Sequence, residues 1–147
     1  MRRRSLLAIA GFGIALSCLR MTRAGEALRF EEMYKASGVL GLEMSDKLTA
    51  LNGRPVEILG FMAPPLKPEA AFFVLTHEPV SLCPFCNSDA DWPSDIIVVY
   101  LRDGVRYTQT NRAIAVVGTL DIGSKLDTKT GFVSLVRLIE ADYHSIS

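Results

Sequence analysis

Five blocks of apolar residues between positions 56 and 139 have the spacing and composition of β-strands. In the first block Val56 and Ile58 face one way, whereas the second and third blocks are almost wholly apolar and are expected to be buried. Turn signals such as Asn52-Gly53, Asp103-Gly104 and Thr130-Gly131 precede or separate the blocks. The predicted strands are residues 56–61, 71–76, 96–101, 113–120 and 132–139.

Gly60 interrupts the side-chain pattern of the first predicted strand. A glycine inside a strand commonly marks a bulge or a sharp bend, so a bend is expected there. Pro64, Pro65 and Pro68 follow shortly afterwards and are expected to end the strand.

The segment before the strands has a helical period instead. Over residues 28–36, Phe30, Met33 and Tyr34 recur at spacings of three and four, which predicts a short packing helix that ends at Ser37-Gly38. A second helical turn is predicted over residues 45–51, where Ser45 and Asp46 are suitable capping residues.

This pattern predicts an all-β fold with minor helix. Five strands, a short N-terminal helix and a glycine bend in the first strand fit a small five-stranded Greek-key barrel of the OB type. A two-sheet sandwich is the alternative, because strand count alone does not separate the two architectures.

The N-terminus has the features of an export signal. Three arginines at positions 2–4 precede an apolar run over residues 5–16, which is shorter than the about 20 residues of a membrane-spanning helix. The start of the chain resembles a twin-arginine signal, with cleavage expected before Gly25. The general secretory route and lipoprotein processing at Cys18 are alternatives. We therefore predict a periplasmic protein with a signal peptide at 1–24, a helical lead-in at 25–50 and a β-domain at 51–147.

Export changes the charge balance. The whole chain has 16 basic and 16 acidic residues, but its first 24 residues contain five arginines and no acid. The remaining 123 residues have 11 basic and 16 acidic residues, a formal charge of −5. This charge argues against nucleic acid as a partner, and after signal cleavage no integral membrane segment is expected.

The loop between the second and third predicted strands, residues 77–95, carries the densest set of potential ligands. It spans 19 residues, and connections longer than about 12–15 residues are uncommon unless they have a function. Its centre is Cys83-Pro84-Phe85-Cys86, which contains the only cysteines of the chain besides Cys18.

A metal site is the first hypothesis for this loop. Cys83 and Cys86 have the spacing of a zinc-binding thiolate pair, and a closed site needs two further ligands. His77 is the best candidate for the third ligand. The fourth is expected among Asp89, Asp91 and His144.

Two other interpretations remain open. In an oxidising compartment the two thiols can form a structural disulfide, in which case Phe85 and Trp92 are candidate exposed anchors for a partner protein. Thiol–disulfide exchange is the third hypothesis, although the residues after Cys86 form a poor helix and no thioredoxin-like βαβ pattern precedes the motif. No other catalytic motif is present, so a binding or assembly role is favoured over an enzyme.

Residues 51–64, LNGRPVEILGFMAP, resemble the opening of a family of uncharacterised bacterial exported proteins. The family pattern is approximately L-x-G-x-x-V-x-I-x-G-F-M/V-x-P, and the resemblance extends over residues 48–143. It implies an OB-like barrel with a cysteine-bearing loop, a periplasmic or envelope location, and association with envelope transport systems such as ABC transporters. Loops of this family often carry a histidine two residues after a cysteine, where this chain has Phe85.

Overall fold

Six β-strands form one sheet in the computed structural model, which describes residues 24–35, 41–67, 70–84, 88, 90 and 92–147. The predicted signal peptide lies outside these residues except for Ala24, and no helix in the described ranges combines the length and apolar character that crossing a membrane requires. A 3₁₀ turn (Phe30–Glu32) and one short helix, α1 (Asp46–Ala50), precede most of the sheet. The strands are β1 (Glu26–Ala27), β2 (Pro55–Met62), β3 (Phe72–Thr76), β4 (Ile96–Leu101), β5 (Ala113–Leu126) and β6 (Val133–Ser145).

The strand pairings form a closed circuit. β2 pairs with both β3 and β5, β3 pairs with β4, and β5 pairs with β6, all antiparallel. The circuit is completed by a parallel pairing between β4 and β6. The strands belong to one sheet, so the alternative prediction of a two-sheet sandwich does not describe the structure. The predicted all-β architecture with little helix is confirmed.

The predicted count of five strands is wrong, because β1 adds a sixth. β1 is only two residues long and pairs in parallel with β2, through Glu26 with Val56 and Ala27 with Glu57. So short a pairing leaves no periodic signal in the sequence, since it depends on backbone groups of β2 and not on a repeating side-chain pattern.

The helix predicted over residues 28–36 is also wrong in extent, because only the 3₁₀ turn forms there. The apolar spacing is correct, since Phe30 and Met33 are buried in the core. The backbone after the turn forms other hydrogen bonds: the amide of Lys35 donates to the carbonyl of Glu43, and the amide of Ser45 donates to that of Met33. These bonds replace the helical ones. Residue 36 lies outside the described residues.

The second predicted helical turn is confirmed. The side chain of Ser45 accepts a hydrogen bond from the amide of Leu48 at 3.0 Å, which is a standard N-terminal cap of α1. Leu48 is completely buried and anchors this helix on the core.

Both faces of β3 are buried. Leu75 pairs with Met62, whose side chain points into the core. The side chains of Leu75 and Phe73, which lie on the same face of β3, therefore also point into the core. On the opposite face Phe72 contacts the rings of Tyr100, at 5.4 Å, and Phe132, at 5.5 Å. The chain therefore covers the outer face of β3 and β4 with its own side chains.

Candidate functional site

The loop between β3 and β4 has the predicted bounds, because β3 ends at Thr76 and β4 begins at Ile96. Its base is closed by the amide of His77, which donates to the carbonyl of Asp95 at 2.9 Å. The hydroxyl of Thr76 lies 3.2 Å from the carbonyl of Phe61 and 2.6 Å from that of Glu78. The ends of the loop are thus fixed to the sheet.

Of the two cysteines in the Cys-x-x-Cys motif, only Cys83 is among the described residues. It is half-buried, carries a free thiol and packs against the core. Its Sγ lies 3.6 Å from the carbonyl oxygen of Pro84. Burial raises the pKa of this thiol, which lowers the thiolate fraction at neutral pH and counts against a role as an exchange nucleophile. Cys86, Phe85, Asp89 and Asp91 lie outside the described residues.

The two histidines predicted as ligands lie in different settings. His77 places its Nε2 atom 3.0 Å from the Glu31 carboxylate, and its ring stacks on Phe30 with centroids 5.4 Å apart. His144 is exposed on β6, where it pairs with Ala115 of β5. Within the described part of the chain, no three His, Cys, Asp or Glu side chains are grouped in a way that could hold a metal ion.

Trp92 is not an exposed anchor, because its side chain is buried in the core. Its indole N–H donates a hydrogen bond to the hydroxyl of Tyr34 at 2.8 Å. Burial is the main reason why the pKa of Tyr34 rises to about 12, so this phenol stays protonated and available as a partner. Trp92 therefore holds the C-terminal part of the loop against the N-terminal segment.

An apolar groove lies beside the base of this loop, and it was not predicted from the sequence. It has a volume of about 410 Å³ and is called the β2 groove here. Its walls come from the N-terminal segment, the outward side of β2, the base of the cysteine loop and the C-terminal end of the chain. The lining residues are Ala27, Leu28, Arg29, Phe30, Glu31, Glu57, Leu59, Gly60, Phe61, His77, Ala113 and Ile146.

Two large apolar side chains are exposed at the β2 groove. Leu59 is 56% exposed and Ile146 is 39% exposed. The His77–Glu31 pair lies where the groove meets a second, more polar cavity of about 420 Å³, which is also lined by Tyr34, Lys35 and Asp95. Phe30, Glu31 and His77 line both cavities, and an apolar cavity next to a polar one suits a binding site.

One sequence signal could have indicated this groove. In the alternating strand β2, Val56 and Ile58 point inward, so Leu59 points outward, where a polar residue is the usual choice. Ile146 gave no comparable signal, because it follows the last predicted strand, which continues to Ser145 instead of ending at residue 139.

The fold and the groove define a small all-β domain with a concave apolar surface. No family model matches the chain, and no curated protein matches it. A solved structure is similar in fold: the crystal structure of a DUF3299 family protein from Pseudomonas aeruginosa PAO1, with a TM-score of 0.53 and 14% sequence identity. The match covers 84% of this chain and 99% of the other. At this identity the similarity concerns the fold alone.

Proposed function

We propose that this protein is a non-catalytic binding module of the bacterial cell envelope, exported to the periplasm, which binds a partner through the β2 groove. The observation that carries this proposal is the position of two exposed apolar side chains, Leu59 and Ile146, in one concave surface. Exposed apolar surface of this kind commonly marks an interaction site. An accessory role in an envelope transport system is consistent with the family resemblance described above.

We infer that the domain is an OB-type barrel. Strands β2 to β6 form a closed circuit in the order β2, β3, β4, β6, β5, in which only the β4–β6 pairing is parallel. This order supports a five-stranded Greek-key barrel, to which β1 is an addition.

In OB-type proteins the usual ligand surface is the outer face of the second and third barrel strands, which correspond to β3 and β4 here. In this chain most outward residues of those strands are buried, namely Phe72, Val74, Ile96 and Val98, and Tyr100 on the same face is half-buried. Oligonucleotide binding at that face is therefore disfavoured, in agreement with the net negative charge expected for the exported chain. The β2 groove is the better candidate surface.

A photo-cross-linking experiment tests this proposal. A photoreactive phenylalanine analogue at position 59 is expected to yield one discrete adduct in the exporting host, whereas the same analogue at position 126 is not. Leu126 is a matched control, because it is also 56% exposed but does not line the groove. The substitution Ile146→Asp should weaken the adduct at position 59 at least about tenfold, because it places a charge in an apolar contact. Identical adducts from positions 59 and 126, or none from position 59, would refute the proposal.

Zinc binding by the cysteine loop is a second candidate function, favoured by the free thiol of Cys83 on a loop whose base is fixed. Cys83 and Cys86 would supply two thiolates, and Asp89 or Asp91 could complete the set. For His77 to take part, its Nε2 would have to leave the Glu31 carboxylate, or its other ring nitrogen would have to bind the metal with Glu31 as the orienting group.

Elemental analysis combined with thiol counting decides among the states of this loop. If zinc is bound, protein taken from the periplasm should contain about one zinc ion per chain, and the Cys83→Ser variant should contain none. A metal-free protein without reactive thiols would instead support a Cys83–Cys86 disulfide. A metal-free protein with two reactive thiols would contradict both the metal and the disulfide hypotheses.

A further inference from the structure

Among the residues that the structure describes, none forms a strand partner for the middle of β2 on the side that faces the β2 groove. β1 pairs with β2 only at Val56 and Glu57, and β3 pairs with it only at Phe61 and Met62. The three residues between these pairings, 58–60, have β5 on one side and neither β1 nor β3 on the other.

The backbone of Leu59 has the orientation needed to bind another strand. The amide of Leu28 donates to the carbonyl of Glu57 at 2.9 Å, so the backbone groups of Glu57 face the β1 side. Backbone groups alternate in direction along a strand, and the register of β2 with β5 is continuous from Pro55 to Phe61. The N–H and C=O groups of Leu59 therefore face the gap between β1 and β3.

We propose that the ligand of the β2 groove is an extended peptide segment that adds a short strand beside Leu59. This inference rests on the proposed function and specifies its partner. Strand addition at an open sheet edge obtains its affinity from main-chain hydrogen bonds and its specificity from side-chain pockets. The groove offers both, because the backbone of Leu59 faces the gap and the exposed side chains of Leu59 and Ile146 line the same apolar surface.

The charges around the groove favour a basic residue in that peptide. Arg29 is paired with Glu32 at 3.6 Å, and Glu31 is paired with His77 at 3.0 Å. Glu57 also lines the groove, and within the described ranges it has no ion-pair partner. A lysine or arginine next to an apolar peptide residue would compensate this carboxylate.

Binding of three blocked, fluorescein-labelled heptapeptides to the exported chain tests the inference. In the first peptide leucine and lysine alternate, in the second leucine and glutamate alternate, and the third is the first peptide with every backbone nitrogen methylated. We expect the leucine–lysine peptide to bind with a dissociation constant below about 1 mM. The other two should bind at least about tenfold more weakly, because one has the wrong charge and the other lacks backbone donors. The Glu57→Gln variant should lose most of the preference for lysine over glutamate.

Amide hydrogen exchange locates the contact. The exchange of the Leu59 amide should slow at least about tenfold when the leucine–lysine peptide is bound, whereas the amide of Leu126 should be unaffected. The inference would be overturned if no peptide bound, if the methylated peptide bound equally well, or if exchange at Leu59 were unchanged. Displacement of the peptide by decanoate would also overturn it, because the groove would then be a site for acyl chains. A cross-link at position 59 without peptide binding would leave the proposed function standing and refute only the peptide mode. Peptide binding without that cross-link would support the strand-binding mode of the groove and refute the proposal that a partner in the cell envelope occupies it.

Discussion

The Gly60→Ala variant is expected to lose about 3 kcal/mol of unfolding free energy, because β3 passes too close to residue 60 for a side chain. A Cβ atom there would lie 2.6 Å from the carbonyl oxygen of Thr76 and 3.0 Å from Cγ of Leu75. The backbone of Thr76 has little freedom to move, since it is paired with both Phe61 and Ile96. Relief of the clash therefore requires separation of β2 from β3. Urea denaturation monitored by Trp92 fluorescence measures the loss.

Gly53→Ala is a suitable control for this variant. Gly53 has a φ angle of +78°, but a Cβ atom added there would have no neighbouring atom within 4 Å. Its replacement should cost about 1 kcal/mol from the left-handed conformation alone. If Gly60→Ala destabilises the protein no more than Gly53→Ala does, the explanation that β3 lies too close to residue 60 for a side chain is wrong.

Gly60 is a position where the residue type could be noticed in the sequence but the reason for it could not. Its presence inside a strand led to the expectation of a bulge or a sharp bend, and the register gives no sign of a bulge. The register of β2 with β5 passes through Gly60 without a shift, and the reason for the glycine is the proximity of Thr76. A contact between residues 16 positions apart along the chain has no local signature, so the sequence could predict the type of residue and not its cause.

The strands were easier to predict than the surface. The predicted limits of β4 agree with the structure, because a continuous apolar run bounded by polar residues suffices to define a buried strand. β5 and β6 continue beyond their predicted ends, as far as Leu126 and Ser145. Those extensions contain many polar residues. The extension of β5 is held by pairing with the first half of β6, and that of β6 by pairing with the first half of β5, which a hydrophobic pattern does not register.

The candidate site was the least predictable part. The density of ligand-type residues directed attention to the loop at 77–95, whereas the β2 groove is assembled from separate segments of the chain. His77 belongs to both, and its partner Glu31 comes from the N-terminal segment. Sequence spacing gives no information on which distant carboxylate a loop histidine will contact.

Arg137 on β6 is a buried cation, whereas Arg102, which follows β4, is exposed. Arg137 lies beside Val98 of β4, and its side chain is 3% exposed. Nε and Nη2 donate to Asp121 at 3.0 and 2.8 Å, and Nη1 donates to the carbonyls of Gly123 and Ser134 at 2.7 and 2.8 Å. All three guanidinium nitrogens are thus used to hold the extended part of the β5–β6 pair over the outer face of β4.

The Arg137→Met variant should lose about 2–3 kcal/mol of unfolding free energy, because methionine fills similar space but leaves two carbonyls and the Asp121 carboxylate, which is 38% exposed and so partly hydrated, without their partner. Arg102→Met is the matched control: Arg102 also donates through Nε and Nη2 to one carboxylate oxygen, that of Asp142, at 3.2 and 2.8 Å. Its side chain is 55% exposed, so solvent screens the pair and the loss should stay below about 1 kcal/mol. Urea denaturation of the two variants measures both losses. Equal losses would show that burial does not set the strength of these pairs, and the Arg137 network would then not be what fixes the β5–β6 extension in place.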